Sequence, residues 1–229
     1  MSALLASYRA QQTRLRGRDG RAFAGHFDDS ATDSTCAVIV AHDFFGLTPQ
    51  IRSVASRLAG DGFLSFAPDF YRGSVATTRQ EAEGFARQLA WNQVAVELGL
   101  VVAALKQRRA GMRVAVLGFA MGGAAALVAA AAVPALDAAV TFYGIPQDVC
   151  VENKRLRVQG HFAARDAKCT PERVSALGRS LAEHGVHAEL HEYDADNGFF
   201  NPLRTEAYSP EHAKSAWART LQFLRSALA

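Results

Sequence analysis

Apolar residues along this chain follow two rhythms. Short apolar runs rich in β-branched and aromatic residues read as buried strands, and longer stretches with apolar residues three and four apart read as helices. The first rhythm covers residues 36–41, 63–67, 114–117, 137–144 and 156–161, and residues 186–193 alternate in the manner of a half-buried strand. The second covers residues 48–58, 78–109, 124–132, 170–185 and the stretch from 209 onward. Thr48-Pro49, Thr170-Pro171-Glu172 and Ser209-Pro210-Glu211 each set a capping hydroxyl before a proline, a helix start signal. The stretch 78–109 reads as a long helical region, with Ala82, Phe85, Leu89, Val96, Leu100 and Leu105 at a helical apolar period and Gly111 as its stop. Residues 13–27 read as an opening hairpin about Asp19-Gly20, and residues 2–10 as a short helix or a disordered arm. Residues 28–35, 42–47, 68–73, 162–166 and 194–202 read as loops.

Strands alternating with helices predict one α/β domain over residues 1–229, a mostly parallel sheet with helices on both faces. In such sheets the working surface lies outside the carboxyl ends of the strands. The loops at His42, Asp69, Ala120, Asp166 and Asn197 therefore converge there.

Composition narrows this reading. Hydrophobic residues make up 49% of the 229, enough for a sizeable core. Net charge is +3, from 25 basic and 22 acidic side chains scattered along the chain, which argues against a nucleic-acid partner. Cys36, Cys150 and Cys169 show no metal-binding spacing, and an odd count suits reduced thiols in the cytoplasm. No secretory leader is evident before Arg16, and the alanine-rich run ending at Pro134 is too short to cross a bilayer. No metal or cofactor is called for. The expected partner is a small molecule, and the chain itself a monomer or homodimer.

The candidate chemistry centres on Gly118-Phe119-Ala120-Met121-Gly122-Gly123. An apolar strand, a glycine turn and a small-residue helix are the build of a nucleophile elbow, which holds one side chain at its apex in a strained conformation. The apex here is Ala120, and a methyl group cannot attack anything.

Four further stretches flank the elbow in order: His42-Asp43-Phe44-Phe45-Gly46, Pro68-Asp69-Phe70-Tyr71, Phe142-Tyr143-Gly144 and Tyr193-Asp194-Ala195-Asp196-Asn197-Gly198-Phe199. Together, from about residue 38 to 228, they resemble the dienelactone hydrolase family of carboxymethylenebutenolidase-like α/β hydrolases. The resemblance implies an α/β-hydrolase fold and activity on esters or lactones. It places Ala120 where the family has its nucleophile, Asp166 where it has the triad acid and Asn197 where it has the base. It assigns the backbone N–H groups of Met121 and Phe44 to an oxyanion hole. Asp43 replaces a glutamate that meets the resting nucleophile, and Tyr71 and Arg72 join the pocket, Arg72 as a binder of substrate carboxylate or else a solvated surface group. Cys169, three residues past Asp166, is a displaced nucleophile or plain packing. His42 is read as orienting its loop, His161 and His191 as structural, and His184, His187 and His212 as surface groups.

An asparagine amide cannot take a proton as imidazole does. Three readings follow: a protein that keeps a pocket for a small lactone, ester or carboxylate without hydrolysing it by the family route; an isomerase, cyclase or lyase that uses the carboxylates and the oxyanion hole without a covalent intermediate; and an active lactone or ester hydrolase altered by engineering at Ala120 and Asn197.

Overall fold

The structure, a computed structural model, describes residues 13–17, 20–31 and 33–229. The arm expected over residues 2–10 and the turn residue Asp19 lie outside the described residues. The chain runs β1 (Thr13–Arg16), β2 (Ala22–Asp28), β3 (Cys36–Ala41), α1 (Pro49–Gly60), β4 (Leu64–Pro68), α2 (Arg79–Gln88), α3 (Trp91–Lys106), β5 (Arg113–Phe119), α4 (Met121–Ala132), β6 (Ala138–Phe142), β7 (Arg157–Arg165), α5 (Pro171–Glu183), β8 (His187–Asp196) and α6 (Pro210–Ala227). The strands form one eight-stranded sheet in the order β1-β2-β4-β3-β5-β6-β7-β8. The pairs from β4 to β8 are all parallel, and the expected hairpin, β1 with β2, is antiparallel and joins antiparallel to β4.

Successive strand residues point to opposite faces, so each central strand feeds two cores. Ala37, Ile39 and Ala41 pack with α3, α4 and α5 on one face; Val38 and Val40 pack with α1 and α6 on the other. Among the described residues no single helix is long and apolar enough to cross a membrane.

Two departures from the sequence reading shape the site. The stretch 78–109 is two helices that meet at 80°. Leu89 and Ala90 leave the helix with ψ of 118° and 108°, although both are good helix formers, so the local sequence carries no stop signal there. Packing makes the break. Helix α3 buries Val94, Leu98, Val101, Val102 and Leu105, whereas α2 buries only Ala82 and swings to set the Phe85 ring 5.4 Å from that of Tyr71.

The second departure is at β7 and β8. Both run on into residues read as loops, and their ladder ends at Arg165 opposite Asp196, after a register shift between Ala163 and Arg165. Charged residues at a strand end give no apolar signal, yet they pair across the end of this ladder. The Arg165 guanidinium pairs with the Asp194 carboxylate and, at 3.2 Å, with that of Asp196. Asp166 and Asn197 follow directly on these paired ends, so the two loops leave the sheet side by side.

Candidate active site

The apex of the elbow is strained as the sequence implies. Ala120 has φ 50° and ψ −110°, a backbone conformation that costs a non-glycine residue about 1–3 kcal/mol. Its surroundings enforce it. The Ala120 N–H donates to the Phe142 carbonyl at 2.9 Å, and the Ala120 carbonyl accepts from Ala124 N–H at 3.0 Å. A Cβ on Gly118 would lie 2.0 Å from the Gly122 carbonyl oxygen, and one on Gly122 would lie 2.1 Å from that of Ala41. Both glycines let β3, β5 and the start of α4 close on one another. Met121 is the first residue of α4, so its N–H has no acceptor within the helix.

Across from the elbow, Asp166 is 5% exposed. One carboxylate oxygen accepts the N–H groups of Lys168 and Cys169 at 2.7 and 3.1 Å, and the other accepts Asn197 Nδ2 at 2.7 Å. Asn197 Oδ1 accepts from the Arg204 guanidinium at 3.4 Å. The amide is thereby fixed, nitrogen to Asp166 and oxygen to Arg204. An imidazole would donate to Asp166 in the same way, but the amide keeps no basic nitrogen on its other side.

The loop after β3 supplies the other wall. Asp43 accepts the Phe45 N–H at 2.9 Å. Burial pushes its carboxyl up to about 6, against the pull of the Phe45 N–H and of Arg204. The Tyr71 hydroxyl donates to the Phe44 carbonyl and lies 3.3 Å from Met121 Sδ, so it ties this loop to the elbow helix. His42 is buried beneath. Its Nε2 accepts the Phe70 N–H at 3.2 Å, which puts the ring proton on Nδ1, 2.7 Å from the Asp43 carbonyl. Burial holds its pKa down to about 4, so the ring is neutral and braces the loop. Asp69 caps the neighbouring turn, accepting the N–H groups of Tyr71 and Gly73 at 3.1 and 2.6 Å.

With this arrangement in view, the sequence profile described as "Dienelactone hydrolase family" matches residues 23–228. The chain belongs to the dienelactone hydrolase family. It is 30% identical over 203 residues to the protein usf of Aquifex pyrophilus, spanning 83% of this chain and 88% of the relative. It is 29% identical over 224 residues to a carboxymethylenebutenolidase of Pseudomonas sp. strain P51, spanning 92% and 93%. The crystal structure of the dienelactone hydrolase-like promiscuous phosphotriesterase P91 from metagenomic libraries superposes with a TM-score of 0.77 at 24% identity, covering 94% of this chain and 98% of that one. That likeness confirms the α/β-hydrolase fold.

Two other sequence candidates, Arg72 and Cys169, are engaged in other ways. Arg72 forms a two-pronged ion pair with Glu97, at 3.0 and 2.6 Å, and lines a groove of about 380 Å³ with Phe23, Asn92 and Glu97. Its guanidinium is engaged there by Glu97. Cys169 is buried, and burial, then the nearby Asp166 carboxylate, pushes its thiol up to about 11. A thiol held protonated is a poor nucleophile, which counts against Cys169 as a displaced one. The residue that sequence reading missed is Arg204. It contacts Asn197, and its charge reaches Asp43 and Tyr143. It lies in an irregular segment without a motif, beyond the turn at Gly198.

Proposed function

We propose that this dienelactone hydrolase-family chain binds a small lactone, ester or carboxylate at the elbow and does not hydrolyse it through a covalent intermediate. The observation that carries the reading is the pairing of a strained elbow bearing a methyl group with an Asn197 amide hydrogen-bonded to Asp166. The nucleophile and base positions are both without chemistry, while the backbone around them is kept. Peptide N–H groups at Met121 and Phe44 form the oxyanion hole in this reading, and a helix N-terminus favours a carbonyl or carboxylate oxygen. Arg204, which also pairs with Glu206 at 3.0 Å, supplies in this reading the positive charge that the sequence reading sought in Arg72. The ligand is a small molecule, and the chain acts as a monomer or homodimer in the cytoplasm.

The test is paired. Protein free of host esterases should turn over p-nitrophenyl acetate and a dienelactone no faster than background, while calorimetric titration detects binding of small carboxylates that weakens in Arg204→Ala. Saturable ester turnover that Asp166→Ala abolishes would sink the proposal.

A second reading rests on Asp43. A carboxyl raised to about 6 can both give and take a proton near neutral pH, which suits an isomerase, cyclase or lyase step without a covalent intermediate. Product formation from an enolisable lactone that is lost in Asp43→Asn would favour it over simple binding.

A further inference from the structure

Away from the elbow, at the far end of the connection from β6 to β7, Cys150, Glu152 and His184 meet. Their ligand atoms all lie within 4.8 Å of one another. Cys150 Sγ is 3.4 Å from His184 Nε2 and 3.8 Å from Glu152 Oε1. The two separations from sulfur are close to those of a tetrahedral metal site. Zinc bonds of about 2.3 Å to sulfur and about 2.0–2.2 Å to nitrogen or oxygen set neighbouring ligands roughly 3.5–3.6 Å apart.

The histidine is oriented as a ligand. His184 caps the C-terminal end of α5, and its Nδ1 lies 2.8 Å from the Ser180 carbonyl. That contact puts the proton on Nδ1 and leaves the Nε2 lone pair facing Cys150. Ligating histidines are fixed in this way, by donating their other ring N–H to a carbonyl or carboxylate. The thiol is accessible too: Cys150 is exposed, whereas Cys36 is half-buried with Sγ 3.2 Å from the Leu228 carbonyl, and Cys169 is buried.

We infer that Cys150, Glu152 and His184 form a site for a borderline-soft divalent cation, with Zn²⁺ the best match. A thiolate, an imidazole and a carboxylate supply three ligands. The fourth position opens to solvent beside a groove of about 540 Å³ that Cys150 lines with Gln147, Arg173 and Ser180. Water, or a donor atom of a ligand in that groove, completes the tetrahedron. The bound ion pins the β6–β7 connection to the end of the helix that follows β7. Cys150 and His184 are 34 residues apart, so no sequence spacing announces the site.

The experiment is a Zn²⁺ titration of chelator-stripped full-length protein against a chromophoric competitor. One Zn²⁺ per chain is expected. Loss of an outer partner of a metal site costs about 10–100-fold in affinity, so Cys150→Ser and His184→Gln, which each remove a ligand, should weaken binding by about 100-fold or more. Cys36→Ser should leave it unchanged. With Co²⁺ in place of zinc, a thiolate-to-cobalt charge-transfer band should appear in the unaltered protein and vanish in Cys150→Ser. Zn²⁺ should also raise the melting temperature of the unaltered protein but not of Cys150→Ser, since an ion that binds only the folded chain stabilises it. Absence of stoichiometric binding, or affinity in a folded Cys150→Ser within about twofold of the unaltered protein, overturns the inference.

Discussion

At the scale of single residues, the proposed loss of nucleophile and base at Ala120 and Asn197 predicts that restoring both side chains restores ester hydrolysis. Ala120→Cys with Asn197→His should give measurable hydrolysis of p-nitrophenyl acetate, while each single change gives little. Nucleophile and base act as a unit, and in a well-studied serine protease loss of one member costs about as much as loss of all, roughly 10⁶-fold. Asp166 already accepts a hydrogen bond from residue 197 at 2.7 Å, so a new imidazole has a carboxylate waiting for it. Equal activity from Ala120→Cys alone would show that position 197 is not the base position. Asp43 gives a prediction with a defined sign. Its folded carboxyl stands near 6 against an ordinary 3.8, so the folded state holds a proton that the unfolded chain has released. Stability therefore falls as pH rises from about 4 to about 6, and the penalty stays constant above that window. Asp43→Asn keeps an oxygen for the Phe45 N–H and removes the penalty. Its urea midpoint should exceed that of the unaltered protein at pH 7.5 and match it at pH 4; a lower midpoint at pH 7.5 would refute the burial argument.

At the scale of elements, the elbow is a close approach of three backbones. Gly122→Ala would drive a Cβ to 2.1 Å from the Ala41 carbonyl oxygen, and neither β3 nor α4 can yield without disturbing the central sheet. Overpacking of this kind costs typically about 1–3 kcal/mol, occasionally more, and a backbone–backbone clash belongs at the upper end. Gly84→Ala is the contrast. It sits within α2 with nothing within 4 Å of the added methyl, so it should stabilise by about 0.5–1 kcal/mol. Urea unfolding of the two variants measures both. Comparable effects would mean that the elbow glycines serve only local helix propensity.

For the whole molecule, buried histidines set the acid limit. Burial holds His42 down to about 4 and His161 well below its ordinary 6.5. His161 is satisfied as a neutral ring among Tyr193, Gln159 and Thr220, at 2.9–3.0 Å. Below about pH 6.5 the unfolded chain gains protons on these residues that the folded chain refuses, so stability falls as pH falls. Asp43 acts in the opposite sense between 6 and 4. His26 and His191 are held below their ordinary 6.5 as well, so four histidines against one carboxyl leave a net uptake of protons on unfolding near pH 5.5, and stability is lost as the pH falls from 7 to 5. Urea midpoints taken from pH 7 down to pH 5 check this, and a flat or rising profile would contradict it. Asp137 adds to the same limit lower down. Burial alone would raise its carboxyl, but hydrogen bonds from Lys106, the Val114 N–H and Arg113 outweigh that and lower it, so the stability it contributes is lost as the pH falls below its ordinary 3.8.

The sequence by itself determined the alternation of strands and helices, the single, mostly parallel sheet, the glycine elbow and the methyl and amide that stand at Ala120 and Asn197. These are local properties: apolar periodicity encodes which face is buried, and glycine spacing encodes where backbones can touch. The tertiary structure decided which side chains meet. It set Asn197 against Asp166 across 31 residues, brought Arg204 into the site and left Arg72 to Glu97. It broke the expected long helical region at Leu89, where two good helix formers gave no warning, and carried β7 and β8 through charged residues that read as loop. It also gathered Cys150, Glu152 and His184, which no motif joins. The reason is common to all of these. A contact between residues distant in the chain depends on how crossovers stack helices on the sheet and where each strand ends, and these follow from packing of the whole core rather than from any one stretch.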